Sequence, residues 1–192
     1  MNLPDHRPDL FQAQDWMLAL IGGVRPEHLD RPTPCGDWDV RELVAHLFMV
    51  ADRIAVVGQG GNAMSVTRDG VQVPDDLAAG FEQRIQVGRQ AWSDESSLSR
   101  SVVVPWGEVP GAIALTGYVP ELVAHGWDLA TATGQPSEAA PELAAVALRA
   151  AQRAIPAERD GFPFGPVVES GPDDSPTTRF VHWMGRLTPS PR

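Results

Sequence analysis

Four stretches with helical periodicity, joined by loops rich in proline and glycine, constrain this chain to a helical fold. The clearest is residues 40–54, where apolar side chains recur at the i, i+3, i+4 and i+7 spacing of a helix with one buried face. Asp39 precedes this stretch as an N-cap, and Glu42 follows three residues later as in a capping box. The loops are too short for the crossovers of a parallel sheet. The other three stretches are residues 8–21, 75–92 and 111–133.

Three local features refine this prediction. Residues 101–109 are rich in valine and contain proline and glycine, which predicts a short extended or hairpin segment. In the stretch 111–133, Pro120 removes a backbone hydrogen bond and predicts a kink or a later start, while Gly134 is suited to end the helix. A further helix is expected over residues 142–154. The sequence therefore predicts an all-α protein, an antiparallel four-helix bundle with a short β element and a loop-rich C-terminal tail.

Length and charge limit the domain organisation and the partners. At 192 residues one domain is expected, with the bundle over residues 1–155 and a tail, residues 156–192, packed on it. The net charge of −10 argues against nucleic acid and anionic membranes as partners. The single cysteine, Cys35, excludes an intrachain disulfide and a cysteine-based zinc cluster. Without a recognisable signal peptide or membrane span, a cytoplasmic monomer or homodimer is expected.

Two of the predicted helices carry residues that could bind a metal or take part in catalysis. Glu121 and His125 are four residues apart and share a helix face, and His46 lies in the apolar stretch of another helix. Two imidazoles and one carboxylate from two helices can bind a divalent metal and leave positions open for water or substrate. A hydrogen-bonded core histidine and a surface Glu–His pair would explain the same spacing. The apolar surroundings support the metal without excluding the alternative, because a buried carboxylate must be compensated by a cation or by hydrogen bonds.

Other residues near these motifs each have two interpretations. Asp128, one turn after the second histidine, could fix the tautomer of that ring, or could act as a cap or face solvent. Arg53, on the face of the first histidine, could hold a substrate carboxylate or form a salt bridge on the rim. Cys35 could have a lowered thiol pKa before a helix N-terminus, or could be a buried turn cysteine. Trp38 and Trp127 are interpreted as core anchors.

The two histidine-bearing motifs also resemble a known family. Residues 33–47, TPCGDWDVRELVAHL, resemble the signature of the mycothiol-dependent maleylpyruvate isomerase N-terminal domain family, which belongs to the DinB-like metal-binding four-helix bundles. Residues 121–134, ELVAHGWDLATATG, resemble its second signature. Residues 164–168 and 179–186 are similar to the closing segment of a short, single-domain subgroup. The resemblance extends over nearly the whole chain.

This resemblance implies both a metal and a thiol. It places a divalent ion on His46, Glu121 and His125, with zinc as the usual metal and nickel or iron as alternatives. It implies mycothiol as the cosubstrate. We expect only a loop-rich tail where the full isomerase has a further C-terminal domain, so the resemblance does not carry over maleylpyruvate isomerisation itself.

The function predicted from the sequence is a metal-dependent, thiol-using transferase or isomerase that acts on a small, electrophilic molecule. A non-catalytic metal-binding sensor or interaction module and a metal-dependent hydrolase are the alternatives, and turnover itself is left open. An arginine or another polar group in the pocket beside the metal would favour the enzyme. A site sealed by apolar side chains would favour the module. The pocket is expected to be shaped by the loops at residues 24–38, 59–73 and 94–109.

Overall fold

The computed structural model describes residues 4–188 and is mostly helical, with one small two-stranded sheet. This confirms the helical class and the short β element predicted from the sequence. The elements in chain order are α1 (Arg7–Gly22), α2 (Val40–Gly58), α3 (Leu77–Ala91), α4 (Ser96–Ser99), β1 (Ser101–Val104), β2 (Gly107–Pro110), α5 (Gly111–Thr133), α6 (Pro141–Ala154) and α7 (Pro176–Trp183).

Four long helices surround the main core. Helix α1 packs against α3 and α5, and α2 packs against the same two helices. Large apolar side chains with no exposed surface fill the space between them, and burying each one stabilises the fold by about 1.5–3 kcal/mol relative to leaving it exposed. Helix α6 covers α5 from outside, and α7 packs on α6. The core includes Met17, Leu47, Phe48, Phe81 and Leu115.

The capping box predicted at the start of α2 is present. The backbone nitrogen of Glu42 donates to Asp39 Oδ1 at 2.8 Å, and the nitrogen of Asp39 donates to Glu42 Oε2 at 3.3 Å. These two bonds satisfy donors that the first helical turn cannot pair internally. They fix the start of α2 two turns before His46.

Helix α5 begins at Gly111 and continues through Pro120, so of the two predicted alternatives the later start is wrong and the kink stays a prediction. Seventeen of its 23 residues are buried, and packing on several sides maintains the helix despite the missing backbone donor. Gly134 ends the helix as predicted, with a φ of +74° that favours glycine.

The predicted hairpin is confirmed, and the tail contains more structure than expected. Strands β1 and β2 pair antiparallel, with Val104 opposite Gly107 across a two-residue turn. In the tail, the sequence pattern indicates only loops around an apolar island, whereas the structure has helix α7, whose Phe180 and Val181 are fully buried. Within residues 4–188, none of the helices combines the length and apolar character needed to cross a bilayer.

Candidate metal centre and adjoining cavity

The three predicted ligands meet between α2 and α5. His46 Nε2 lies 2.9 Å from Glu121 Oε1, and His125 Nε2 lies 3.6 Å from the same oxygen. The two imidazole centroids are 4.8 Å apart. One potential ligand atom from each residue lies within 4.8 Å of the other two. One turn of α5 and one residue of α2 therefore provide a compact group of two nitrogens and one oxygen.

The two imidazoles of this group are mostly buried, whereas the carboxylate is partly exposed. The His125 side chain is 9% exposed and the His46 side chain 14%, whereas that of Glu121 is 37% exposed. The imidazoles are thus shielded from bulk water. The carboxylate of Glu121 marks the side from which a small molecule can approach.

Trp38 covers the two imidazoles. Its ring centroid lies 4.9 Å from that of His46 and 6.1 Å from that of His125. The guanidinium of Arg68 lies over the ring of Trp38, 5.2 Å from the ring centroid. The core-anchor interpretation therefore holds for Trp127, which is 3% exposed, but not for Trp38, which is half-buried against the candidate ligands.

Asp128 and Arg186 hold His125 from behind. Asp128 has no exposed surface, and its Oδ2 lies 3.0 Å from His125 Nδ1. Arg186 donates to both carboxylate oxygens, from Nε to Oδ1 at 3.2 Å and from Nη2 to Oδ2 at 2.9 Å. This bidentate pair fixes the carboxylate, and the carboxylate in turn leaves Nε2 of His125 facing Glu121.

Cys35 approaches the same histidine from the loop before α2. Its sulfur and one ligand atom each of His125 and Asp128 lie within 4.8 Å of one another, which makes a second possible ligand set. This set fits a metal less well, because Arg186 already binds both oxygens of Asp128. We therefore regard Cys35 as a neighbour of the candidate centre rather than as one of its ligands.

The charges in this cluster are strongly coupled. Burial alone would raise the pKa of Glu121, but His125 and His46 outweigh it and hold the pKa well below its usual range. Burial would lower the pKa of His125, yet Glu121, Asp128 and Cys35 raise it well above its usual range. Without a metal, His125 therefore carries a proton between two carboxylates. A divalent cation would supply positive charge at the same place.

A cavity of about 660 Å³ opens beside Glu121. It extends from α2 and α5 to the hairpin turn, helix α6 and the tail segment 162–164. Arg53 lies on its wall, where Nε and Nη2 both donate to the carbonyl oxygen of Val66 at 3.1 and 3.0 Å. Tyr118 is a second polar residue of the wall, and most of the remaining lining is apolar.

Comparison with known proteins shows the family to which this chain is related. The family model described as the mycothiol maleylpyruvate isomerase N-terminal domain matches residues 10–130. The chain belongs to this family. Two proteins of Mycobacterium tuberculosis, both described as uncharacterized, are each 30% identical to it over 178 residues, which cover 91% of this chain and 94% of theirs.

Solved structures agree with the family assignment. Two crystal structures of the mycothiol-dependent maleylpyruvate isomerase, one of a histidine-to-alanine mutant, have TM-scores of 0.64 and 0.63 at 19% sequence identity. The match covers 86% of this chain and 75% of each isomerase chain. This family member therefore has a fold similar to that of the isomerase, and the resemblance deduced from the motifs is confirmed.

The predicted site residues of this family member fall into two groups. The predicted metal ligands and Asp128 lie together in one cluster, while Arg53 lies along the adjoining cavity and is held by the carbonyl of Val66. The sequence interpretation missed Arg186 and Tyr118. Arg186 lies in the closing motif at residues 179–186, the only signal that could have drawn attention to it, and is outside the range that the family model matches.

Proposed function

We propose that the chain binds one divalent cation through His46, Glu121 and His125 and uses it to activate a small thiol for reaction with a small electrophile. The observation that carries the proposal is the approach of both imidazole Nε2 atoms to one carboxylate oxygen at the edge of an open cavity. Mycothiol is the first candidate thiol, because it is named in the description of the family and in that of the structurally similar isomerase.

The donor set fits a divalent transition metal. Imidazole nitrogen and carboxylate oxygen suit zinc, and they also suit nickel and iron. Two neutral imidazoles and one carboxylate leave a net positive charge on a dication, and three protein ligands leave a coordination position open. When bound there, such a cation would lower the pKa of a thiol so that the nucleophilic thiolate forms near neutral pH.

The residues of the chain would orient the reactants. Asp128, fixed by Arg186, keeps Nε2 of His125 toward the centre. Trp38 shields the imidazoles on one side, so that thiol and electrophile would enter from the side of Glu121. The cavity on that side would hold the electrophile. Arg53 on its wall would orient an anionic group of that molecule.

The surroundings of the centre favour an enzyme over a non-catalytic metal-binding module. A sealed, apolar site would suit a module, whereas here a cavity with Arg53 and Tyr118 on its wall adjoins the candidate ligands. We also propose that α1, α2, α3 and α5 are the antiparallel four-helix bundle of the DinB-like class, on the basis of their mutual packing. The centre would then lie between two helices of this bundle.

Thiol reactivity at low pH tests this function. At pH 6.5 roughly 1% of a free thiol with a pKa of about 8.5 is thiolate. Zinc-loaded protein mixed with mycothiol should therefore accelerate the reaction of the thiol with chlorodinitrobenzene by about ten-fold or more, measured by absorbance. His125→Ala should remove the acceleration, and His6→Ala, which changes a histidine outside the cluster, should retain it. Equal rates with and without the zinc-loaded protein would refute the proposal.

A further inference from the structure

One residue that lines the cavity has a buried hydroxyl without a hydrogen-bond partner among the described residues. Tyr118 is 3% exposed, and its hydroxyl makes no hydrogen bond to any residue from 4 to 188. Buried polar groups in proteins are almost always hydrogen-bonded, so an unsatisfied donor at a cavity indicates a missing acceptor. Arg53 and Glu121 line the same cavity as Tyr118. Burial raises the pKa of Tyr118, and the group therefore stays a neutral donor.

A second donor belongs to Arg53, which lines the same cavity. Arg53 directs Nε and Nη2 at the carbonyl oxygen of Val66, which fixes the plane of the guanidinium. Its Nη1 has no acceptor in the part of the chain that the structure describes. A fixed cation and a neutral hydroxyl thus belong to residues that line the same cavity. A carboxylate group complements both, since its two oxygens can accept from both donors.

The rest of the cavity has an apolar lining that suits an apolar molecule. Trp106, at the turn between β1 and β2, is 51% exposed, and Phe162 and Ile113 are 42% and 36% exposed. These three side chains belong to separate segments, yet all line this cavity together with Phe164 and Met184. Large apolar side chains that gather around one pocket while remaining exposed are typical of a binding site for an apolar ligand.

We propose, on the basis of the function proposed above, that the substrate is an apolar monocarboxylate with an aromatic or branched aliphatic body. Its carboxylate accepts from the Tyr118 hydroxyl and from Nη1 of Arg53, and its body lies against Trp106 and Phe162. Glu121 does not repel the carboxylate, because its own charge is paired with the two histidines. A small dianion would leave the apolar walls uncovered.

Three probes separate the parts of this proposal. Isothermal titration calorimetry at pH 7.5, on zinc-loaded and on metal-free protein, compares trans-cinnamate with cinnamyl alcohol, which lacks the carboxylate, and with maleate, which lacks the ring. Cinnamate should bind about ten-fold more tightly than either. Maleate binding as tightly as cinnamate would overturn the apolar assignment. Cinnamyl alcohol binding as tightly would overturn the assignment of the carboxylate.

The metal-free measurement separates this inference from the proposed function. Cinnamate selectivity in metal-free protein, combined with failure of thiol activation in zinc-loaded protein, would refute the thiol function and support the binding site. Thiol activation without any preference for cinnamate would refute the substrate class alone.

Two variants test the assigned contacts. Tyr118→Phe keeps the ring that packs on Trp106 and removes an unsatisfied hydroxyl, so the melting temperature should stay equal or rise while cinnamate affinity falls about five-fold. A lower melting temperature with unchanged affinity would show that the hydroxyl is structural and would overturn the assignment.

Arg53→Gln should weaken cinnamate binding by about ten-fold or more. Arg149→Gln removes the same charge at an exposed position of α6 and should leave cinnamate affinity unchanged. An equal loss of affinity in both variants would overturn the specific contact with Arg53.

Discussion

Glu121 is the residue on which the two imidazoles converge, and its single oxygen Oε1 is approached by both. The histidines are held differently. His125 is backed by Asp128, whereas His46 is covered by the ring of Trp38. Because the buried side of the cluster is already hydrogen-bonded and packed, a cation would need little rearrangement to reach the nitrogens from the side of the carboxylate.

Loss of one ligand should remove most of the metal. His125→Ala deletes the ligand that lies closest to the protein interior, and we expect zinc content to fall from about one per chain to well below half. Inductively coupled plasma mass spectrometry of purified protein measures the ratio. His6→Ala should keep full content, because His6 pairs with Asp9 outside the cluster. Full occupancy in His125→Ala would contradict the ligand assignment.

Metal binding should release a proton. The pKa of His125 is raised by Glu121 and Asp128, so the ring is protonated at neutral pH in the metal-free chain and must lose its proton to bind zinc. Apparent zinc affinity should therefore increase by roughly ten-fold per pH unit from pH 6.5 upward, until the pH reaches the raised pKa. Calorimetry in buffers of different ionisation enthalpy counts the released protons. An affinity independent of pH would exclude a protonated His125.

The pair of Asp128 and Arg186 should matter for stability as well as for the centre. Asp128→Asn leaves the nearly buried Arg186 without its counter-charge, and we expect the free energy of unfolding to fall by about 3 kcal/mol. Urea denaturation measures it. The exposed pair of Asp15 and Arg89 is the matched control, and Asp15→Asn should lower the free energy of unfolding by less than about 1 kcal/mol. Similar losses in the two variants would mean that Asp128 is not a buried counter-charge.

At the level of helices and strands, the sequence predicts those helix boundaries that depend on residues close by in the chain. The start of α2 and the end of α5 follow from a capping box and from Gly134, since both act within a few residues. Helix α7 could not be predicted in the same way. Its eight residues are too few to be stable alone, and packing against α6 maintains it.

The cap of α2 gives a prediction at this scale. Asp39→Ala removes the side-chain acceptor for the nitrogen of Glu42 and should lower the free energy of unfolding by about 1 kcal/mol. Asp37→Ala, an exposed change in the same loop, should have little effect. Thermal and urea unfolding measure both variants. An equal stability of the two would show that the capping box contributes nothing to α2.

At the scale of the whole molecule, the candidate centre is assembled from distant parts of the chain. The spacing of Glu121 and His125 on one helix and the histidine motif of α2 allowed the proximity of these three side chains to be predicted from the sequence. The contacts of Arg186 and Trp38 with this group could not be predicted, because they depend on how the tail and the loop before α2 pack. The same holds for the cavity, whose walls come from α2, α5, α6, the hairpin and the tail.

The central claim is that the His46, Glu121 and His125 group holds a metal that binds a thiol as thiolate. The most direct measurement is the absorption spectrum of cobalt-substituted protein during titration with mycothiol. A new thiolate-to-cobalt charge-transfer band in the near ultraviolet, saturating at one thiol per metal and absent from His125→Ala, is the predicted result. A cobalt spectrum that stays unchanged up to millimolar thiol would contradict the claim.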